Sequence, residues 1–345
     1  TSTSRPCALE PARVWSSAER VVRRIEPPTI VDVEAARGRI AATAVRTPLL
    51  ELQVDTPAKI YLKLENLQPI GSFKLRGALN AMRSLDRSVL AQGVYTASAG
   101  NMAQGVAFGA REIGVPCTVI MPDSAPRAKI DAVRRLGAEI VSLPYDDWWQ
   151  TLADHGRAGI PGTFIHPVAD AKVIAGNGTI GLEIVEDLPE VDAVLVPFGG
   201  GGLVSGIATA VRALAPRAKV YGCEVATATP LAAAFAAHAP VVVERTPSFV
   251  DGIGGRGVLP EMWPLVEDLV DGALTATLDE VGAAVKLLVE RAHVVAEGAG
   301  AAPVAAALGG RLTRDAARAD GPARVVCVVS GGNIDSRILI DLLAG

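Results

Sequence analysis

The stretch "PIGSFKLRGALNAM", residues 69–82, sets Lys74 between Phe73 and Leu75 at the start of an apolar helical pattern. A lysine on a solvated helix face sits among other charges. This one has an aromatic and an aliphatic neighbour, which points to an amine held in a dry place. Desolvation disfavours the ammonium form, so such an amine has a lowered pKa and can add to a carbonyl or act as a base. Three glycine-bearing stretches offer complementary chemistry. "VPFGGGGLVSG" places Gly199, Gly200, Gly201 and Gly202 between an apolar strand and a helix beginning near Leu203. Backbone N–H groups and the positive end of the helix dipole converge there as a phosphate cradle. Four successive glycines exceed what a tight turn needs, and the run has neither Walker nor Gly-x-Gly-x-x-Gly spacing. "ASAGNMAQG" turns from strand to helix at Ser98, Gly100 and Asn101. Open donors at that point suit a carboxylate, while Ser98 and Asn101 serve equally as ordinary N-caps. "VVSGGNID" closes a strand with Ser330, Gly331, Gly332 and Asn333, either as a turn or as a hydroxyl presented to a ligand.

These residues need elements to hold them. Strand-like runs at 59–65, 93–98, 117–122, 138–143, 192–198, 219–225 and 324–330 alternate with helical patterns at 73–82, 101–114, 127–137, from 203, near 278–293 and at 299–308. The alternation predicts an α/β fold with mainly parallel sheets and right-handed crossovers, ligands lying beyond the carboxyl ends of the strands. No repeat or low-complexity linker separates the chain, so any two domains are interleaved.

Composition narrows the partners. A net charge of -4 and a pI near 5.7 provide no basic field for nucleic acid or an anionic membrane. Cys7, Cys117, Cys223 and Cys327 lack metal or disulfide spacing, which suits a reducing, cytoplasmic setting. The first 27 residues carry Arg5, Arg13, Arg20, Arg23 and Arg24 without the apolar core of a signal peptide, and read as an amino-terminal arm. The uncharged run 193–211 is broken by Pro197 and glycines and reads as strand, loop and helix instead of a membrane span. His155, His166, His238 and His293 have no metal spacing; Trp148 and Trp149 read as cover for a sheet, and "RAKIDAVRR" as a solvated helix face.

A phosphate cradle, an anion loop, a hydroxyl able to meet a ring nitrogen and an amine of lowered pKa are together what pyridoxal 5'-phosphate requires. In that order along the chain, "SFKLRGA", "SAGNMAQG", "FGGGGL" and "SGGN" resemble the fold-type II pyridoxal phosphate enzymes, in particular the serine/threonine dehydratase and serine racemase group, from about residue 30 onward. The resemblance implies the tryptophan synthase β-like fold: two open, mainly parallel sheets with helices on both faces. It implies an arm (1–27), a large cofactor-binding domain (28–92 and 170–345), a small mobile domain (93–169) and a homodimer. By it, Lys74 is the Schiff-base lysine and Phe73 lines the cofactor ring. Gly199, Gly200, Gly201, Gly202 and Leu203 hold the phosphate, Asn101 meets the ring hydroxyl, and Ser330 meets the ring nitrogen. Ser98, Ala99, Gly100, Asn101 and Met102 receive the substrate carboxylate. Glu297 matches a family glutamate near the cofactor, though a capping or salt-bridge role fits it as well.

The implied activity is α,β-elimination from a β-hydroxy L-amino acid, threonine or serine by default, to a 2-oxo acid and ammonia; β-replacement and racemisation are the alternatives on the same fold. Departures from the family pattern refine this expectation. Ala99 stands where racemases of the group carry serine, which disfavours a two-base racemase. Met102 replaces the usual histidine, and the glycines of the 247–262 loop depart from the commoner "DGIAV", so a larger or more acidic substrate stays open. Glu224 matches the first metal ligand of the racemases but Pro230 replaces the second, so no activating divalent cation is expected. The chain runs out soon after "SGGN", so no regulatory domain and no feedback inhibition by isoleucine is expected.

Overall fold

The computed structural model describes residues 13–14, 23–312 and 321–345; most of the arm read at 1–27 lies outside the described residues. One sheet has six strands in the spatial order Gly272–Ala276, Lys219–Val225, Ala193–Pro197, Arg324–Val328, Lys59–Lys63 and Leu49–Leu52. Its pairs are parallel except the last, where Leu49–Leu52 runs antiparallel. A second sheet has four parallel strands in the order Glu139–Leu143, Cys117–Pro122, Val94–Ala97 and Thr163–Phe164. The larger sheet is covered on both faces, and its central strand Ala193–Pro197 is apolar throughout for that reason. Ala193, Leu195, Val325 and Cys327 pack into one core, while the alternate Val194, Val196, Val326 and Val328 pack into the other.

Three helices set the geometry of everything that follows: the lysine helix Lys74–Arg83, the central helix Ala171–Asp187 and the cradle helix Gly202–Leu214. They meet backbone to backbone because glycines line the seams. A Cβ on Gly206 would lie 2.3 Å from the Ile174 carbonyl oxygen, and one on Gly176 would lie 2.6 Å from that of Arg76. The central helix is 17 residues long and was not among the helical patterns read above. Its "AGNGTIG" is poor in helix propensity, and packing overrides that preference. Asp170 starts it by accepting the amides of Lys172 (2.7 Å) and Val173 (3.1 Å).

A buried ionic cluster locks the lysine helix in place. Arg76, two residues past Lys74, is almost wholly buried and donates from Nε and Nη2 to the two oxygens of Glu65, both at 2.8 Å. It also donates from Nη1 and Nη2 to Glu183 of the central helix, at 2.6 and 2.9 Å. Lys63 Nζ completes the set on Glu183 Oε2 and the Thr47 carbonyl, each at 2.6 Å. Burial by itself would raise the Glu65 carboxyl; the Arg76 charge and hydrogen bonds outweigh it and hold the group below the usual range. Two cations and two anions balance, so removing one leaves an uncompensated buried charge. Arg76→Leu is therefore expected to cost about 3–5 kcal/mol of unfolding free energy, read as a lowered urea midpoint. A loss below about 1 kcal/mol would contradict the assignment.

Candidate active site

A cavity of about 310 Å³ opens between the two sheets and is lined by Lys74, Ser98–Met102, Gly199–Leu203 and Ser330, along with Phe73, Lys129, Trp148 and Glu297. The loop segments come from the carboxyl ends of the strands ending at Ala97, Pro197 and Val328. Lys74, Phe73, the Ser98–Met102 loop, the Gly199–Leu203 run and Ser330 therefore reach one enclosure.

Lys74 begins its helix, and its Nζ donates to the Pro167 carbonyl at 2.7 Å while lying 5.2 Å from the Phe73 ring centroid. Burial lowers its pKa to about 8, so an appreciable fraction is the free amine near neutrality. Backbone pairing ties this lysine to the Ser330 loop. Phe73 N–H donates to the Ser330 carbonyl at 2.9 Å, and Ser72 bridges Gly331.

Across the cavity, the cradle helix starts at Gly202 with Gly201 as a left-handed N-cap (φ +94°) and no side chain capping it. Steric demand explains part of the glycine run: a Cβ on Gly200 would meet Val168 Cγ1 at 2.7 Å, and one on Gly201 would meet Val266 Cγ2 at 2.9 Å. The same bareness leaves the first amides open toward the cavity. The helix Asn101–Ile113 also starts on a glycine, Gly100, without a side-chain cap, because Ser98 Oγ accepts the Gly100 amide at 3.1 Å. Two open helix starts face one cavity, and each presents the positive end of its dipole there.

Asn101 holds the rear wall together. Its Nδ2 donates to Glu297 Oε1 and its Oδ1 accepts from Asn333 Nδ2, both at 2.8 Å. Burial, reinforced by the charge of Asp251, pushes Glu297 up to about 7. Met102 is buried and lines the cavity while packing mainly into the core of the smaller sheet.

Several sequence readings change. Trp148 packs against the smaller sheet as expected but also lines the cavity. The run at 127–135 is not wholly a solvated face: Lys129 lines the cavity and pairs with Asp251 of the 247–262 loop at 2.5 Å. Glu224 is engaged as a helix cap, accepting the amides of Leu231 (2.6 Å) and Ala232 (2.9 Å) just after Pro230. His155, His238 and His293 are the described non-glycine residues with positive φ, each at or just beyond a helix end. Pro167, Val168 and Ile253 carry no local sequence signal and join the wall only through folding.

A family model described as "pyridoxal-phosphate dependent enzyme" matches residues 40–331. The chain belongs to that family. An L-threonine ammonia-lyase from Geobacter sulfurreducens is 44% identical over 314 residues, 89% of this chain and 76% of that protein. Among solved structures, a threonine deaminase from T.th. is 36% identical with a TM-score of 0.77, covering 89% of this chain and 99% of that one. Maize serine racemase is 30% identical with a TM-score of 0.81, covering 92% and 98%.

The perturbed Glu297 carboxyl has a measurable consequence. Its folded value, about 7, lies above the ordinary 4.5, so within that window the unfolded chain has lost a proton that the folded chain keeps. Stability then falls as pH rises through the window. Glu297→Gln, which can still accept from Asn101, should flatten that fall by on the order of 2–3 kcal/mol between its two ends. Parallel stability curves for parent and variant would contradict the assignment.

Proposed function

We propose that this chain is a pyridoxal-phosphate-dependent ammonia-lyase that acts on a small β-hydroxy L-amino acid, L-threonine or L-serine, and releases a 2-oxo acid and ammonia. The observation that carries the reading is the Lys74 amine, lowered to a pKa of about 8 by burial, in one cavity with two open helix starts. The threonine ammonia-lyase relative at 44% identity supports the choice of substrate.

When bound, the cofactor supplies an electron sink for negative charge developing at the substrate Cα. The open amides from Gly199 to Leu203 would hold its phosphate, Ser330 and Asn101 would meet its ring, and Phe73 would pack beside it. Lys74 Nζ would carry the cofactor, and as a free amine it would take the α-proton of the substrate. The β-hydroxyl would leave as water with the proton returned by Lys74, and the resulting enamine would tautomerise to an imine that takes up water to give the 2-oxo acid and ammonia. The amides of Ser98–Met102 orient the substrate carboxylate. Ala99 places a methyl in this wall where a racemase of the group has a hydroxyl, leaving Lys74 without a second proton carrier at that position. A neutral hydroxyl at Ser330 would not hold the ring nitrogen protonated, which would favour prompt elimination over transamination.

The same reading carries a small domain at 93–169 that closes over the substrate, a homodimer and a cytoplasmic setting. The free, buried thiols of Cys117, Cys223 and Cys327 suit that compartment. Among the described residues, no helix is long and apolar enough to cross a membrane.

The test is release of 2-oxo acid and ammonia from L-threonine, L-serine, threo-phenylserine, hydroxyaspartate and their D-isomers. Turnover of L-threonine or L-serine and inert D-isomers are expected, with Lys74→Ala losing at least about 10³-fold in kcat. A Lys74→Ala variant as active as the parent would show the lysine assignment to be wrong.

A further inference from the structure

His166 is buried and immediately precedes Pro167. Its Nδ1 accepts two backbone amides, from Val168 at 3.0 Å and Ala169 at 2.6 Å. This folds 166–169 into a tight turn. Its middle residues do two things in the cavity: the Pro167 carbonyl receives the Lys74 amine at 2.7 Å, and Val168 fills the space left bare by Gly200 and Gly202.

A neutral imidazole whose Nδ1 accepts hydrogen bonds carries its proton on Nε2. That Nε2 is buried and makes no hydrogen bond of ordinary geometry among the described residues, the Leu152 backbone carbonyl being the acceptor that acts on the ring. One ligand atom from each of His155, His166 and Glu261 lies within 4.8 Å of the others, but a protonated Nε2 does not coordinate a metal, so the trio is read as packing. His155 stacks on His166 with centroids 4.3 Å apart, and its own Nε2 lies 3.2 Å from Glu261 Oε1. Phe164 presents an edge contact at 5.8 Å. The ring is thus clamped in place while its Nδ1 holds the turn. Burial lowers the His166 pKa to about 3, with the nearby His155 adding to it, so the acceptor lone pair persists near neutral pH.

We propose that His166 is a positioning residue for Lys74: its Nδ1 shapes the 166–169 turn that anchors the amine through Pro167 and seats Val168 against the glycine cradle. The proposal rests on Lys74 being the working amine.

The design exploits side-chain geometry, since the amide of asparagine can replace Nδ1 and that of glutamine can replace only Nε2. His166→Ala, His166→Asn and His166→Gln are made in the full-length protein. Each is examined for the pH midpoint of Lys74 acetylation, read by peptide mass spectrometry on the cofactor-free protein, and for pyridoxal phosphate affinity by fluorescence titration. In the alanine and glutamine variants the loosened turn admits water. The Lys74 midpoint should then rise from about 8 toward the ordinary 10.5, and cofactor affinity should fall at least tenfold. The asparagine variant should stay within twofold of the parent in affinity and keep its midpoint. A midpoint that follows this split while cofactor affinity does not would uphold the role of the turn and remove Lys74 from cofactor attachment. Asparagine and glutamine variants that behave alike, an asparagine variant that fails to fold, or an alanine variant with an unmoved midpoint would each overturn the proposal.

Discussion

The fourfold contact among Lys63, Glu65, Arg76 and Glu183 is the constraint on which the rest of the site depends. It joins the strand Lys59–Lys63, the turn after it, the lysine helix and the central helix through charges that have no access to water. A buried pair is weak evidence of stability because desolvation offsets much of its attraction. Its value here is positional. Arg76 fixes the rotation of a helix whose first residue is Lys74, and Glu183 ties that helix to the central one, which packs glycine to glycine on the cradle helix. The separation between the amine and the glycine cradle is therefore set by rigid elements. Loops supply only the last contacts.

On that frame the chemistry is electrostatic. Two helices begin at the cavity without side-chain caps, so their amides present positive potential to any anion there. A lysine placed near such potential gains no carboxylate partner; its amine meets a carbonyl oxygen instead, and burial is what lowers its pKa. The buried acid in the wall, Glu297, is held up near neutrality by burial. The enclosure thus favours bound anions and a free amine together, which is what a phosphate-bearing aldehyde cofactor and an amino acid carboxylate require.

Much of this was legible in the sequence, and the part that was not has a physical reason. Lys74, Gly199–Gly202, Asn101 and Ser330 announce themselves because glycines at strand-to-helix junctions and a lysine among apolar residues are locally unusual. The βαβ rhythm follows from two-faced burial of strands such as "AVLVP". The central helix escaped because its glycines serve packing partners far away in sequence. Arg76 carries only a weak signal within its motif, since its partners Glu65 and Glu183 lie 11 and 107 residues distant. A charged residue inside an apolar helix, with charges also in the strand "KIYLKLE", was the available signal. Pro167 acts through a backbone carbonyl and Lys129 through a long reach to Asp251, and neither leaves a pattern along the chain.

The central claim is that this geometry makes Lys74, and no other lysine, the residue that carries the cofactor. The most direct measurement is borohydride reduction of the cofactor-loaded protein, followed by proteolysis and mass spectrometry of the pyridoxyl-bearing peptide. The account predicts a single modified site at Lys74 in the peptide containing "SFKLRGA". Modification of Lys129, the other lysine in the cavity wall, with Lys74 left free would contradict it.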